Sequence, residues 1–353
     1  MDLIFNPPVN KANQYISILV NGLEEAGFKV HPLDGIFSGY RHFKSIRLVH
    51  LNWFENLDET SYIKMLISFF RKSIVLTVIR LSNKKLVWTM HNRVSHEKKS
   101  NRLSKILTHN LIKFADAIII HSHQSRDLIL ESHPSQASKI HYIPHPDFTE
   151  IYGPEVEKKN SSNGKLKLLF LGAVKPYKNL ELLIRTAGQM EDKLQLSIAG
   201  NPTTENYKAH LTRFAAVFNN IKLKLEFIPD SDIPNLLGES DLLILPYDLN
   251  SSLNSGTVLL AFSYRKTGIF PQIGTLTDMT AMQDQFLSYH YTSDEEHASK
   301  LREMLESAFQ LKKNNPEVFQ MMGNKMFHYV KQNHGKKMVI EKLKQVYQSV
   351  LHS

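Results

Sequence analysis

Lys175 and Lys178 stand three residues apart in the loop Gly172-Ala173-Val174-Lys175-Pro176-Tyr177-Lys178-Asn179, directly after the apolar run Leu166 to Gly172. Fixed cations there can neutralise charge on a phosphorylated ligand. As cations at a helix start they also oppose the helix dipole, a placement that a bound anion would relieve; a pair of solvated lysines is the plain alternative. A second anion site is expected at Asn254-Ser255-Gly256-Thr257, which should open a helix through Val258-Leu259-Leu260-Ala261. Backbone N–H groups at a helix start hold phosphate, and Gly256 permits close approach. An ordinary Ser or Asn cap would look the same.

A third group, His91-Asn92-Arg93-Val94-Ser95-His96-Glu97, follows the strand-like run Leu86 to Met90. His91, His96 or Glu97 can accept a hydroxyl proton, since imidazole titrates near neutrality and burial tunes a carboxylate. A helix cap with Glu97 in the first turn accounts equally for His96 and Glu97. His91 and His96 lack a third ligand, so no metal is expected.

These loops need strands to hold them. Leu166 to Gly172, Leu194 to Gly200 and Asp241 to Pro246 are short apolar blocks closed by Gly or Pro, as in a parallel sheet buried on both faces. Helices are expected over about 180–190, 207–218, 233–237 and 256–264, with a late strand at Ile269 to Pro271. The same alternation fills the first half, with strands at about 2–6, 29–32, 46–51, 86–90, 117–121 and 140–143. Helices are expected there over about 13–26, 60–82, 98–114 and 125–132. Both halves read as doubly wound α/β domains. Pro146, Gly153, Pro154, the charged run Glu155 to Lys159 and Gly164 interrupt the rhythm between them. The expected domains are 1–150 and 151–335, with a last helix, about 336–353, that can pack back on the first.

At 353 residues the chain suits two domains. With 42% hydrophobic and 22% charged residues it is an ordinary globular protein, and zero cysteines exclude disulfides and thiolate chemistry. The net charge of +9 fits solubility first, then attraction to phosphates or anionic lipid; no nucleic-acid-binding signature accompanies it. Met1 to Phe5 does not read as a signal, so a cytoplasmic protein is expected. The segment 61–85 is apolar but carries Lys64, Arg71, Lys72, Arg80, Lys84 and Lys85. It reads either as a core helix with a solvated edge or as a peripheral contact with an anionic membrane.

The order of motifs resembles the GT-B glycosyltransferases: a glycine-ended strand with a lysine loop, Ile198-Ala199-Gly200, Asp241 to Pro246, a helix, then Gly268-Ile269-Phe270-Pro271. Bacterial group 1, family 4-like members that build surface polysaccharides look closest, from His50-Leu51-Asn52-Trp53, Trp88 to Asn92, Ile143 to Pro146 and Pro176 to Asn179. The resemblance implies two Rossmann-like domains facing each other across a cleft, with the second holding a UDP- or GDP-sugar. It implies sugar transfer to a glycan or lipid-linked saccharide, with no cofactor beyond the donor. Gly172, Lys175, Lys178 and Asn254 to Thr257 would hold the donor diphosphate, and Lys178 matches the family's diphosphate lysine. His91, His96 or Glu97 would serve the acceptor. Asn10, Asn13 and Gln14, in a first loop that lacks the glycines of a dinucleotide site, are candidates to touch acceptor sugar.

The chain departs from the family near Ser252 and Leu260, where many retaining members carry two glutamates. Asp248 is the carboxylate left in that loop, as a sugar contact or as a solvated turn residue. A fold relative that binds nucleotide sugar without turnover is therefore the alternative expectation.

Overall fold

The structure, a computed structural model, describes residues 1–10, 13–58, 60–92, 102–156, 164–249 and 251–353. His96 and Glu97 lie outside the described residues. The chain divides into two compact units, Met1–Pro146 with His334–Ser353, and Asp147–Asn333.

In the first unit β1 (Asp2–Asn6), β2 (Lys29–His31), β3 (Leu48–Asn52), β4 (Lys85–Met90), β5 (Ala117–Ile120) and β6 (Ile140–Tyr142) form a parallel sheet of order β2-β1-β3-β4-β5-β6. The central runs are apolar on both faces and wholly buried, as with Leu3-Ile4-Phe5 and Ala117 to Ile120, because helices cover both sides. The last helix, Lys336–His352, completes this core. Val339, Ile340, Leu343, Val346, Tyr347 and Val350 recur at helical spacing and are buried with Tyr15, Leu19 and Leu23 of the helix Gln14–Glu25. Gly22 makes that approach possible, since a Cβ there would lie 2.5 Å from Ile340 Cγ1.

The second unit repeats the plan with β7 (Leu166–Leu171), β8 (Leu194–Ala199), β9 (Ile221–Lys224), β10 (Leu242–Ile244), β11 (Thr267–Pro271) and β12 (Leu287–Tyr289), ordered β12-β11-β10-β7-β8-β9 and parallel. The chain winds outward from β7 through β8 to β9, then returns to place β10 on the other side of β7. Loops after β7 and β10 therefore flank the switch point, where such sheets bind ligands. The first unit has its own switch between β1 and β3.

Gly172 and Gly200 end β7 and β8 at φ 140° and 150°, and a Cβ on Gly200 would stand 1.8 Å from the Gly172 carbonyl oxygen. Gly200→Ala should therefore cost about 3 kcal/mol or more. For a unit of this size that lowers the melting temperature by about 6–12 °C. A thermal melt within about 2 °C of the parent would contradict this packing.

Candidate active site

Three loops of the second unit meet at its switch point. Val174 N–H donates to the Asn201 carbonyl at 3.0 Å and Thr203 N–H to the Val174 carbonyl at 3.2 Å, tying the loops after β7 and β8. Asn179 Nδ2 donates to the Pro246 carbonyl at 3.0 Å, tying the loops after β7 and β10. The Lys178 ammonium lies 3.7 Å from the centre of the Tyr247 ring, and the Tyr247 hydroxyl is 3.1 Å from Ser255 Oγ. Ser255 caps the helix Gly256–Ser263 by accepting from Val258 N–H at 3.3 Å. Lys178 and the Ser255 helix start, 77 positions apart in sequence, are thus joined through one aromatic ring.

The Ser255 hydroxyl serves as the cap, and the N–H groups of Gly256 and Thr257 lie in the first turn, where an α-helix supplies no acceptor of its own. Thr257 Oγ1 lies 3.7 Å from where a Cβ on Gly172 would be, so the hydroxyl faces the bare backbone of that glycine. Lys175 is half-buried in the same loop, its ammonium 5.9 Å from the Tyr177 ring centre. Asn254 immediately precedes the cap. Asp248 is half-buried after β10, where its carbonyl accepts from Ser251 and Ser252 N–H. Its carboxylate acts electrostatically on Tyr291 and His297.

Sequence reading missed the supports of this site. The Tyr291 hydroxyl donates to the Tyr247 carbonyl at 2.8 Å and accepts from Leu249 N–H at 3.1 Å. Thr275 Oγ1 accepts from Ser255 N–H at 3.1 Å. His297 stacks on Tyr291 at 3.9 Å, and burial lowers its pKa to about 4. An aromatic just after a buried strand reads as core, and nothing local distinguishes Tyr247 from that.

In the first unit His91 Nε2 donates to Asn52 Oδ1 at 3.0 Å, and Asn52 Nδ2 donates to the Asn6 carbonyl at 3.3 Å. With Nε2 as donor, Nδ1 becomes the acceptor nitrogen. The loops after β1, β3 and β4 are so joined around the first switch point. Trp53 stacks on His91 at 4.0 Å. Burial first, then neighbouring His121, His145 and His50, hold the His91 pKa well below the ordinary imidazole value. Tyr15 sits against this ring and its hydroxyl meets His121 Nε2 at 3.0 Å, while His121 Nδ1 donates to the Ile143 carbonyl at 2.7 Å. Asn13 caps the helix Gln14–Glu25, its side chain accepting from Tyr15 N–H at 3.0 Å, and Asn10 and Gln14 flank it half-buried. Asn52, Trp53, Tyr15 and His121 were not singled out as site residues from sequence, because they come from separate segments: the end of β3, the helix Gln14–Glu25 and the end of β5.

Among the described residues no three His, Cys, Asp or Glu side chains gather as a metal site would require, and no helix is long and apolar enough to cross a membrane.

Known structures share this fold over 99% of both chains. Sucrose-phosphate synthase from Thermosynechococcus elongatus superposes with a TM-score of 0.73 at 13% identity. Anabaena Alr3699/HepE, crystallised in complex with UDP-glucose, gives 0.68 at 12% identity. Residues 154–318, which carry the loops after β7, β8 and β10, match the family model of glycosyl transferases group 1. The fold is GT-B, and the activity is that of a glycosyltransferase. This transferase is also 25% identical, over 75% of its length and 71% of the relative's, to the GDP-mannose:glycolipid 4-beta-D-mannosyltransferase of Xanthomonas campestris pv. campestris. That similarity extends beyond the matched second unit, because 271 aligned residues exceed what residues 154–318 can hold.

Proposed function

We propose that the transferase moves a hexose from a nucleoside diphosphate donor, a GDP- or UDP-sugar, to a glycan or lipid-linked saccharide in surface polysaccharide synthesis. The observation that carries this reading is the joining of Lys178, through Tyr247, to the helix start at Ser255. A cation and N–H groups converge there on the place where a leaving diphosphate would gather charge. The names of relatives agree in kind: one uses GDP-mannose and a glycolipid, and another was crystallised with UDP-glucose.

In this reading Lys178 and Lys175 neutralise the diphosphate as the bond from the anomeric carbon to its oxygen breaks. Asn254 and Ser255 shape the helix start, Gly256 and Thr257 offer it to the phosphates, and Gly172 lets them approach. Asp248 contacts the sugar. An acceptor hydroxyl oxygen forms the new bond to the anomeric carbon and gives its proton to a base.

His91 is the described candidate for that base, neutral near pH 7 because burial depresses its pKa, and oriented by Asn52. His96 and Glu97 are the other candidates, and Asn10, Asn13 and Gln14 are the acceptor contacts. No metal or cofactor is assigned a role, since lysines and a helix start supply the positive charge. Peripheral contact with an anionic membrane through 61–85, at its cytoplasmic face, belongs to the same reading.

The test is turnover: incubation with UDP-, GDP- and ADP-hexoses and a lipid-linked saccharide, with the acceptor followed by mass. The reading expects a gain of one hexose from one donor class. Nucleoside diphosphate binding without any transfer would instead mark a nucleotide-sugar-binding scaffold.

A further inference from the structure

The helix Tyr62–Leu81 is apolar on two opposite faces. Leu76 and Ile79 are buried against the first unit. Ile63, Ile67, Phe70, Ile74 and Leu81 are each 60% to 80% exposed. At 100° per residue these five fall within about 60° of arc, centred about 180° from the buried pair. A continuous exposed stripe of this kind is costly in water and marks an interaction surface.

Charge selects the partner. The helix carries Lys64, Arg71, Lys72 and Arg80 and no acidic residue. Lys64 and Arg71 border the stripe on one side and Arg80 on the other. Lys72 turns inward, its ammonium donating to the Phe54 and Asn56 carbonyls, and Arg71 pairs with Asp34 at the rim. An apolar stripe edged by cations fits the boundary between anionic headgroups and acyl chains. Beside the stripe runs a groove of about 900 Å³, where Leu33, Phe37 and Phe54 face Ile67, Phe70 and Ile74. The groove reaches Asn6, whose carbonyl anchors Asn52 and through it His91.

We propose that this stripe docks the protein on an anionic bilayer, with Ile63, Ile67, Phe70, Ile74 and Leu81 among the acyl chains and the groove open to lipid. This deepens the membrane contact named above and needs no donor to be tested.

Co-sedimentation of the full chain with vesicles is the measurement. Vesicles of phosphatidylglycerol mixed with phosphatidylcholine should pellet the protein, pure phosphatidylcholine should pellet far less, and added salt should weaken the binding. Ile67→Glu with Phe70→Glu should lower the bound fraction about tenfold or more, with unchanged circular dichroism and melting because both side chains already face solvent. Equal pelleting of parent and variant would overturn the proposal, as would a parent that binds neither vesicle. A parent dimer in light scattering that the variant abolishes would give the stripe to a second copy and overturn it too. Vesicle binding by a chain that binds neither UDP nor GDP would leave the docking standing while the donor reading fell.

Discussion

Lys178→Ala should lower kcat about a hundred- to a thousandfold, the range seen when one preorganised donor to developing negative charge is removed. Its ammonium lies 3.7 Å from the Tyr247 ring centre, and Tyr247 is fixed at both ends, by Ser255 at the hydroxyl and by Tyr291 at the carbonyl. The cation is therefore held in place before a ligand arrives, and little reorganisation accompanies charge development. Loss of the cation–π contact should cost about 1 kcal/mol of stability, a shift of about 2–4 °C. Steady-state kinetics beside a thermal melt separate the two effects. Unchanged turnover would remove Lys178 from the donor site, and an unfolded variant would show that its packing role was the larger.

Acid should unfold the first unit before the second. Burial holds His50 at about 3, His121 at about 4 and His145 at about 3, against an ordinary value of 6.5, so all three are neutral in the folded chain. Their neutral forms are engaged: His50 bridges the Tyr347 hydroxyl and Thr89 Oγ1, and His121 bridges Tyr15 and the Ile143 carbonyl. Below pH 6.5 the unfolded chain binds protons that the folded chain refuses. Stability is thus complete above that pH and is lost as pH falls toward 4 and 3. At about pH 5 each group has cost about 2 kcal/mol, or about 6 kcal/mol together, comparable with the stability of a whole domain.

Among the described residues the second unit holds one comparable group, His297 at about 4, and should lose about a third as much. Calorimetric melts at about pH 7.5, 6 and 5 should show a first transition that moves down steeply while a second moves less. Melts that superpose between about pH 7.5 and 5 would mean that these imidazoles titrate near their ordinary values.

The strands that centre both sheets were legible because burial on two faces demands an unbroken apolar run, as in Leu166 to Leu171 and Leu194 to Ala199. Two strands of the second unit were not. In Ile221–Lys224 an edge position lets Lys222 and Lys224 alternate with Ile221 and Leu223, and Leu287–Tyr289 is three residues long, too short to carry a period.

Lys175, Lys178 and the Ser255 cap could be named because a charge or a cap beside a strand end is a local signal. The ring that joins Lys178 to Ser255 could not, since Tyr247, Tyr291, Thr275 and His297 come from separate loops. The same holds for His50, His121 and His145, which only the strand order β3-β4-β5-β6 brings together. The helix Tyr62–Leu81 read as either core or membrane-facing; the structure buries Leu76 and Ile79 and leaves Ile63, Ile67, Phe70, Ile74 and Leu81 exposed.

The central claim, transfer of a hexose from a nucleoside diphosphate, is tested most directly by the mass of a lipid-linked saccharide after incubation with the full chain and each donor. The account predicts a gain of one hexose from a GDP- or UDP-sugar, matched by release of the nucleoside diphosphate. Tight binding of UDP or GDP with no change in acceptor mass and no release from any donor would contradict it.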